Sequence, residues 1–157
     1  MKTQSVKTGL DMAVQHLFDE EVYLAGITEY GVSWESLTGG KASLPPQGAR
    51  FDIAFEGKLF GDEINGQVKG IDYLEVRADG QFRLHLFATI TTDDGQNIAL
   101  QEEGTMVLKS NGTAQLYLQM QFSTASPKYQ WINEKQVWGI GTSYLQKGLV
   151  TISGFTS

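Results

Sequence analysis

Two stretches of the chain alternate strictly between apolar and polar residues, and that period of two constrains the fold more than any other feature. From Phe82 to Ile90 one face reads Phe82, Leu84, Leu86, Ala88 and Ile90, and the other reads Arg83, His85, Phe87 and Thr89. From Thr113 to Ser123 one face reads Ala114, Leu116, Leu118, Met120 and Phe122, against Gln115, Tyr117, Gln119 and Gln121 on the other. This is the pattern of strands with one face toward a core and one toward solvent. Parallel strands covered on both faces read instead as continuous apolar runs.

Turn signals separate the alternating segments. Asn65-Gly66, Asp79-Gly80, Asp94-Gly95 and Asn111-Gly112 place their glycines 14, 15 and 17 residues apart, room for one long strand or two short ones. Such pairs accept the positive φ of type I′ hairpin turns, so a meander is expected. Further strands are expected at 22–30, 51–60, 64–69, 73–77, 97–108, 131–144 and 149–155. Residues 8–18 fit either a short helix capped by Thr8 or a first strand. Gly39-Gly40 and Pro45-Pro46 bracket the one extended irregular stretch. No domain boundary or internal repeat interrupts residues 1–157, so a single domain is expected. So many antiparallel strands do not lie in one open sheet, and the sequential hairpins favour an all-β, mostly up-and-down barrel. Few large apolar residues per face favour a barrel that keeps a cavity.

Composition removes whole classes of chemistry. The chain has no cysteine, which excludes disulfides, thiolate metal sites and a cysteine nucleophile. Its two histidines, His16 and His85, do not make a three-histidine zinc site. Thr92-Asp93-Asp94-Gly95 lacks the spacing of a calcium loop and fits a hairpin turn better. Gly139-Ile140-Gly141 has Tyr144 where a dinucleotide fingerprint needs its third glycine. No metal and no cofactor is expected. The net charge of −6 argues against a nucleic-acid partner. The absence of an apolar leader or of about 18 continuous apolar residues argues for a cytoplasmic protein without a membrane partner.

From Glu56 onward the chain resembles a bacterial family of small β-barrel proteins, the domain-of-unknown-function family 3237. The carriers are Glu56-Gly57 and Gly61, Gly70-Ile71-Asp72-Tyr73, Arg77-Ala78-Asp79-Gly80, Thr92-Asp93-Asp94-Gly95, Gly104, Lys128-Tyr129-Gln130-Trp131-Ile132-Asn133 and Gly139-Ile140-Gly141. Tyr73 stands where the family usually has Trp. The resemblance covers roughly the last hundred residues and implies a lipocalin-like barrel. It brings no catalytic residues with it.

Three groups of residues are candidates for a site. Arg83, His85 and Phe87 would line a cavity if their face points inward, with Arg83 attracting an acidic or phenolic ligand and His85, ordinarily titrating near ~6.5, exchanging a proton. If the face points outward they are surface. Asp72 fits a general base raised by burial, or a residue bonding backbone groups in a turn at 70–73. Tyr129, Trp131 and Asn133 would share one strand face, either as a pocket wall or as an aromatic layer closing one barrel end. Three functions are therefore open. The first is a binding barrel for a small apolar or aromatic ligand oriented by Arg83, His85 and Asn133. The second is a cofactor-independent isomerase or cyclase using Asp72 or His85. The third is a structural homodimer with a filled barrel.

Overall fold

The computed structural model describes residues 3–6 and 12–157, with side chains from Val14 onward. A short strand β1 (Thr3–Val6) leads to the long β2 (Met12–Glu29). After a single helical turn α1 (Trp34–Thr38) come β3 (Ala49–Phe60), β4 (Asn65–Val76), β5 (Phe82–Thr92), β6 (Asn97–Leu108) and β7 (Thr113–Ser123). One turn of 3-10 helix (Gln130–Glu134) precedes β8 (Val137–Tyr144) and β9 (Leu149–Thr156). Each strand pairs antiparallel with the next, and β2 also pairs with β9. That last pairing closes β2–β9 into an eight-stranded barrel and leaves β1 alongside the start of β2. The 8–18 stretch resolves as strand from Met12 onward, and the Thr8 cap lies outside the described residues.

Alternation decides which residues fill the barrel. Along β5 the inward residues Phe82, Leu84, Leu86 and Ile90 are buried, and along β7 so are Ala114, Leu116, Leu118, Met120 and Phe122. Each large side chain so enclosed contributes roughly 1.5–3 kcal/mol relative to exposure. Two irregularities in β2 bend the wall. The register against β9 shifts between His16 and Phe18, which lets the successive Leu17 and Phe18 both be buried. A second shift against β3 falls between Leu24 and Gly26. The strands also approach closely at Gly104, where a Cβ would collide with the Tyr117 carbonyl.

Several local expectations are corrected. Asn65-Gly66 is the start of β4, not a turn, and Asn65 reaches back to bond both the N–H and the carbonyl of Gly61 (3.2 and 2.8 Å). Gly80 and Gly95 do take positive φ, 90° and 86°. Their turns are nevertheless not type I′. Gly80 N–H returns to Arg77 O while Arg77 N–H meets Gln81 O, and Gly95 with Thr92 and Gln96 repeats the pattern. This is a type I turn followed by a left-handed glycine that forms a bulge. The stretches 64–69 and 73–77 are one continuous strand, and 131–144 begins with the 3-10 turn rather than as strand.

The two barrel ends are closed differently. At one end, Ile132 of the 3-10 turn is fully buried and packs into the same core as Phe18, Leu59, Ile64, Ile90 and Ile98. At the other end, the 30–48 connection lays Trp34 edge-on against Phe51 and Phe82, with ring centroids 5.1 and 6.4 Å away. The second of these ends keeps a cavity.

Candidate functional site

The cavity lies beneath Trp34 and is walled mainly by apolar side chains, among them Val22, Phe55, Leu84, Met106 and Val150. Four polar residues interrupt that lining: Glu20, Asp72, Glu102 and Ser143. They are 2%, 8%, 1% and 6% exposed. Each arrives by simple strand alternation. Glu20 follows Phe18 and precedes Val22 on the inward face of β2, and Glu102 lies between Leu100 and Met106 on that of β6. Asp72 precedes Leu74 on β4, and Ser143 follows Gly141 on β8.

Asp72 and Glu102 lie in one cross-barrel row, Asp72↔Leu86↔Glu102, two strands or about 10 Å apart at the backbone. The β4–β5 pairing passes from Asp72↔Leu86 to Glu75↔Arg83 with its offset unchanged. Within that gap the Asp72 carboxylate accepts the His85 backbone N–H at 3.0 Å through Oδ1. Asp72 thus takes a backbone partner on the neighbouring strand, and no turn exists at 70–73.

The electrostatics follow from burial without counter-charge. Among the described residues lining the cavity there is no Lys, Arg or His. Ionising a carboxyl there loses its hydration and gains no cation, so the neutral form is favoured. Burial pushes Glu20 up to about 8. It pushes Asp72 up to about 7, opposed by the His85 N–H, which favours the ionised form. Glu102 is raised well above the ordinary range by burial, and the charges of Glu20 and Asp72 raise it further. Glu20 Oε2 and Glu102 Oε1 are buried with no hydrogen-bond partner among the described residues. Such orphaned oxygens are costly in an interior and concentrate where a ligand or proton transfer uses them. The arrangement provides acids that hold a proton near neutrality beside one whose titration burial has raised to about 7.

The sequence-derived candidates divide sharply. Asp72 is in the cavity. Arg83, His85 and Phe87 are on the outer face, because they alternate with the buried Phe82, Leu84 and Leu86; Phe87 is 52% exposed. Arg83 and His85 border a shallow outer groove with Glu103, Tyr117 and Trp138. None of the three can orient a ligand inside the barrel. Tyr129, Trp131 and Asn133 do not share a strand face. Tyr129 is buried, and its hydroxyl donates to Asp94 Oδ1 at 2.8 Å. Thr92 and Lys128 bond the same carboxylate, which these contacts hold well below the ordinary range. Asn133 clamps the Thr124 N–H and carbonyl at 2.9 and 2.7 Å, and Trp131 packs half-buried on the core. These residues close the packed end and are remote from the cavity beneath Trp34. Glu20, Glu102 and Ser143 escaped the reading of the sequence. Their signal was present as a polar residue on the apolar face of an alternating strand.

Among the described residues no helix is long and apolar enough to cross a membrane, and no cluster of potential metal ligands occurs. Similar solved structures are barrels. A β-barrel-like protein of Acinetobacter baumannii is 25% identical, with a TM-score of 0.72 over 91% of this chain and 95% of that one. A Clostridium acetobutylicum protein of unknown function is 22% identical, with a TM-score of 0.74 over the same shares. An enzyme from Penicillium herquei is 21% identical, with a TM-score of 0.65 over 90% of this chain and 92% of that one. In sequence, a hydroalkoxylation enzyme of Penicillium herquei is 33% identical over 84 residues, which are 53% of this chain and 50% of that relative. The chain therefore spans about half the length of this relative. The family described as protein of unknown function DUF3237 matches residues 41–155, nearly three quarters of the chain, and the chain belongs to that family.

Proposed function

We propose that the protein is an acid–base enzyme that adds a hydroxyl across a carbon–carbon double bond within one small, largely apolar molecule. The observation that carries this reading is the set of three buried carboxyls, two with orphaned oxygens, in one apolar cavity free of cationic side chains. The name of the Penicillium herquei relative supports the reaction type.

In this reaction the O–H bond and the π bond break, a C–O and a C–H bond form, and the molecule is isomerised without change of oxidation state. Asp72, ionised in about half the molecules near pH 7, takes the hydroxyl proton as the oxygen attacks. Glu102, held neutral, gives a proton to the adjacent carbon, and the proton taken by Asp72 then passes to Glu102, which restores both acids for the next turnover. Glu20 keeps its proton up to about pH 8 and so limits negative charge in the cavity. Acids this weak do not protonate an isolated alkene. The substrate double bond is therefore conjugated to a carbonyl, which takes up the charge until carbon is protonated.

The room beneath Trp34 is about 60 Å³, enough for several waters and far below the ~300–1,000 Å³ of ordinary ligand pockets. Substrate entry therefore displaces the Trp34 side chain. The test is cyclisation of an ortho-hydroxyphenyl propenyl ketone, which closes to a methylchromanone with a new stereocentre. Expected is product above the buffer rate with an excess of one enantiomer. Glu102→Gln and Asp72→Asn should each lower the rate by about 10²–10⁴, the usual contribution of a positioned acid or base. Racemic product at the buffer rate, across a panel of such ketones, would overturn the reading.

A further inference from the structure

Of the hydroxyl and carboxyl groups that line the cavity, the Ser143 hydroxyl is the one the acid–base reading leaves unused. It sits on the inward face of β8, 6% exposed, between Gly141 and the end of the strand. Its cross-strand neighbours are Ala114 on β7 and Val150 on β9, so nothing beside it in the sheet offers a side-chain partner. Its hydroxyl faces the cavity rather than a side chain of the neighbouring strands. A serine in a strand that needed only to pack would cost nothing to replace by alanine or valine. Unlike the orphaned oxygens of Glu20 and Glu102, the Ser143 Oγ is not sealed off, and it faces the room of the cavity. Ser143 lies one inward step along the barrel from the row Glu20↔Ile152↔Gly141, so the hydroxyl and the acids address the same space from different walls.

We infer that Ser143 is a substrate-binding residue whose hydroxyl donates a hydrogen bond to a carbonyl oxygen on an otherwise apolar, ring-sized ligand. This rests on the acid–base reading, in which the carbonyl conjugated to the alkene takes up charge during addition. A donor fixed at that oxygen stabilises the charge where it develops and orients the alkene toward Glu102. The recognised class is a neutral aryl ketone. A carboxylate ligand would lose its hydration in an apolar cavity that offers no Lys, Arg or His to pair with it.

Binding tests this without turnover. Chromanone and chroman have the same ring skeleton and differ by the carbonyl oxygen, and their affinities are measured by calorimetry for the wild type and Ser143→Ala. The wild type should prefer chromanone about fivefold, the worth of one ordinary hydrogen bond. Ser143→Ala should bind chroman unchanged, lose the preference, and melt no lower than the wild type. A preference that persists in Ser143→Ala, no preference in the wild type, or no binding of either compound would overturn the assignment. So would a fall of several degrees in the melting temperature, which marks the hydroxyl as structural. Loss of cyclisation in Glu102→Gln with an intact Ser143 effect on turnover supports both proposals. Cyclisation that survives Glu102→Gln and Asp72→Asn, with the chromanone preference intact, removes the acid–base roles and leaves the binding role standing.

Discussion

At the scale of single residues, the buried acids tie pH to stability. Glu20, Asp72 and Glu102 each hold a proton more tightly folded than unfolded. Their contribution is complete below the ordinary carboxyl range near ~4 and is lost as pH rises through the folded values. Stability should therefore fall between about pH 4 and pH 8, by an amount on the order of a few kcal/mol. Glu102→Gln keeps the shape and removes the ionisation. Thermal melts across this range should show Glu102→Gln with the flatter profile and, at pH 8, a melting temperature several degrees above the wild type. Parallel profiles would mean that Glu102 is not held neutral by its surroundings. Asp72 was recognisable from the sequence as an acid that burial would raise, whereas the backbone bond expected in a turn at 70–73 is made instead to the His85 N–H on the neighbouring strand. Glu20 and Glu102 were equally readable in principle, because each falls on the apolar face of its strand. A charged residue there is normally taken as an interruption of the pattern, since the cost of burying it argues against burial.

Among the elements, those legible in advance were the ones whose alternation is uninterrupted. The stretches 82–90 and 113–123 became β5 and β7 with hardly a change of boundary. At 64–77, Gly70 and Asp72 replace apolar residues in the inward row, so a single strand resembled two. The 3-10 turn was misread because Trp131 and Ile132 favour strands locally. Tertiary contacts override that preference, with Ile132 buried in the core and Asn133 held by Thr124. The 30–48 connection is the irregular element that bears on the cavity, because Trp34 covers it. It is tied down by Trp34 N–H to Glu29 at 2.6 Å and by Tyr30 to Asp52 at 2.6 Å, with Arg50 over the Tyr30 ring. Trp34→Ala should remove the cover while leaving those ties in place. Stopped-flow mixing with chromanone should then show association several-fold faster than in the wild type, with stability lowered by about 2–3 kcal/mol, less than for a fully buried Trp. Unchanged association would place the entrance elsewhere.

For the molecule as a whole, closure of the sheet is what takes the inward acids out of water. An open sheet would leave its inward acids beside water and titrating in the ordinary range. The β2–β9 pairing encloses them, Ile132 packs into the core at one end, and the cavity lies at the Trp34 end. The distinction between barrel and sandwich was readable from sequential hairpins, whereas the identity of the inward polar residues depended on the register of every strand around the ring. The direct test of these enclosed acids is a carboxyl-carbon NMR titration of side-chain-labelled protein, assigned with Glu20→Gln, Asp72→Asn and Glu102→Gln. Coupled groups share apparent midpoints, so the shifts are read from the cluster. The expected result is three of the 18 acidic side chains still protonated above pH 6, with midpoints near about 7 for Asp72 and about 8 for Glu20 and Glu102 higher than an ordinary glutamate. All carboxyls titrating near ~4 would contradict the account of the cavity and, with it, the proposed chemistry.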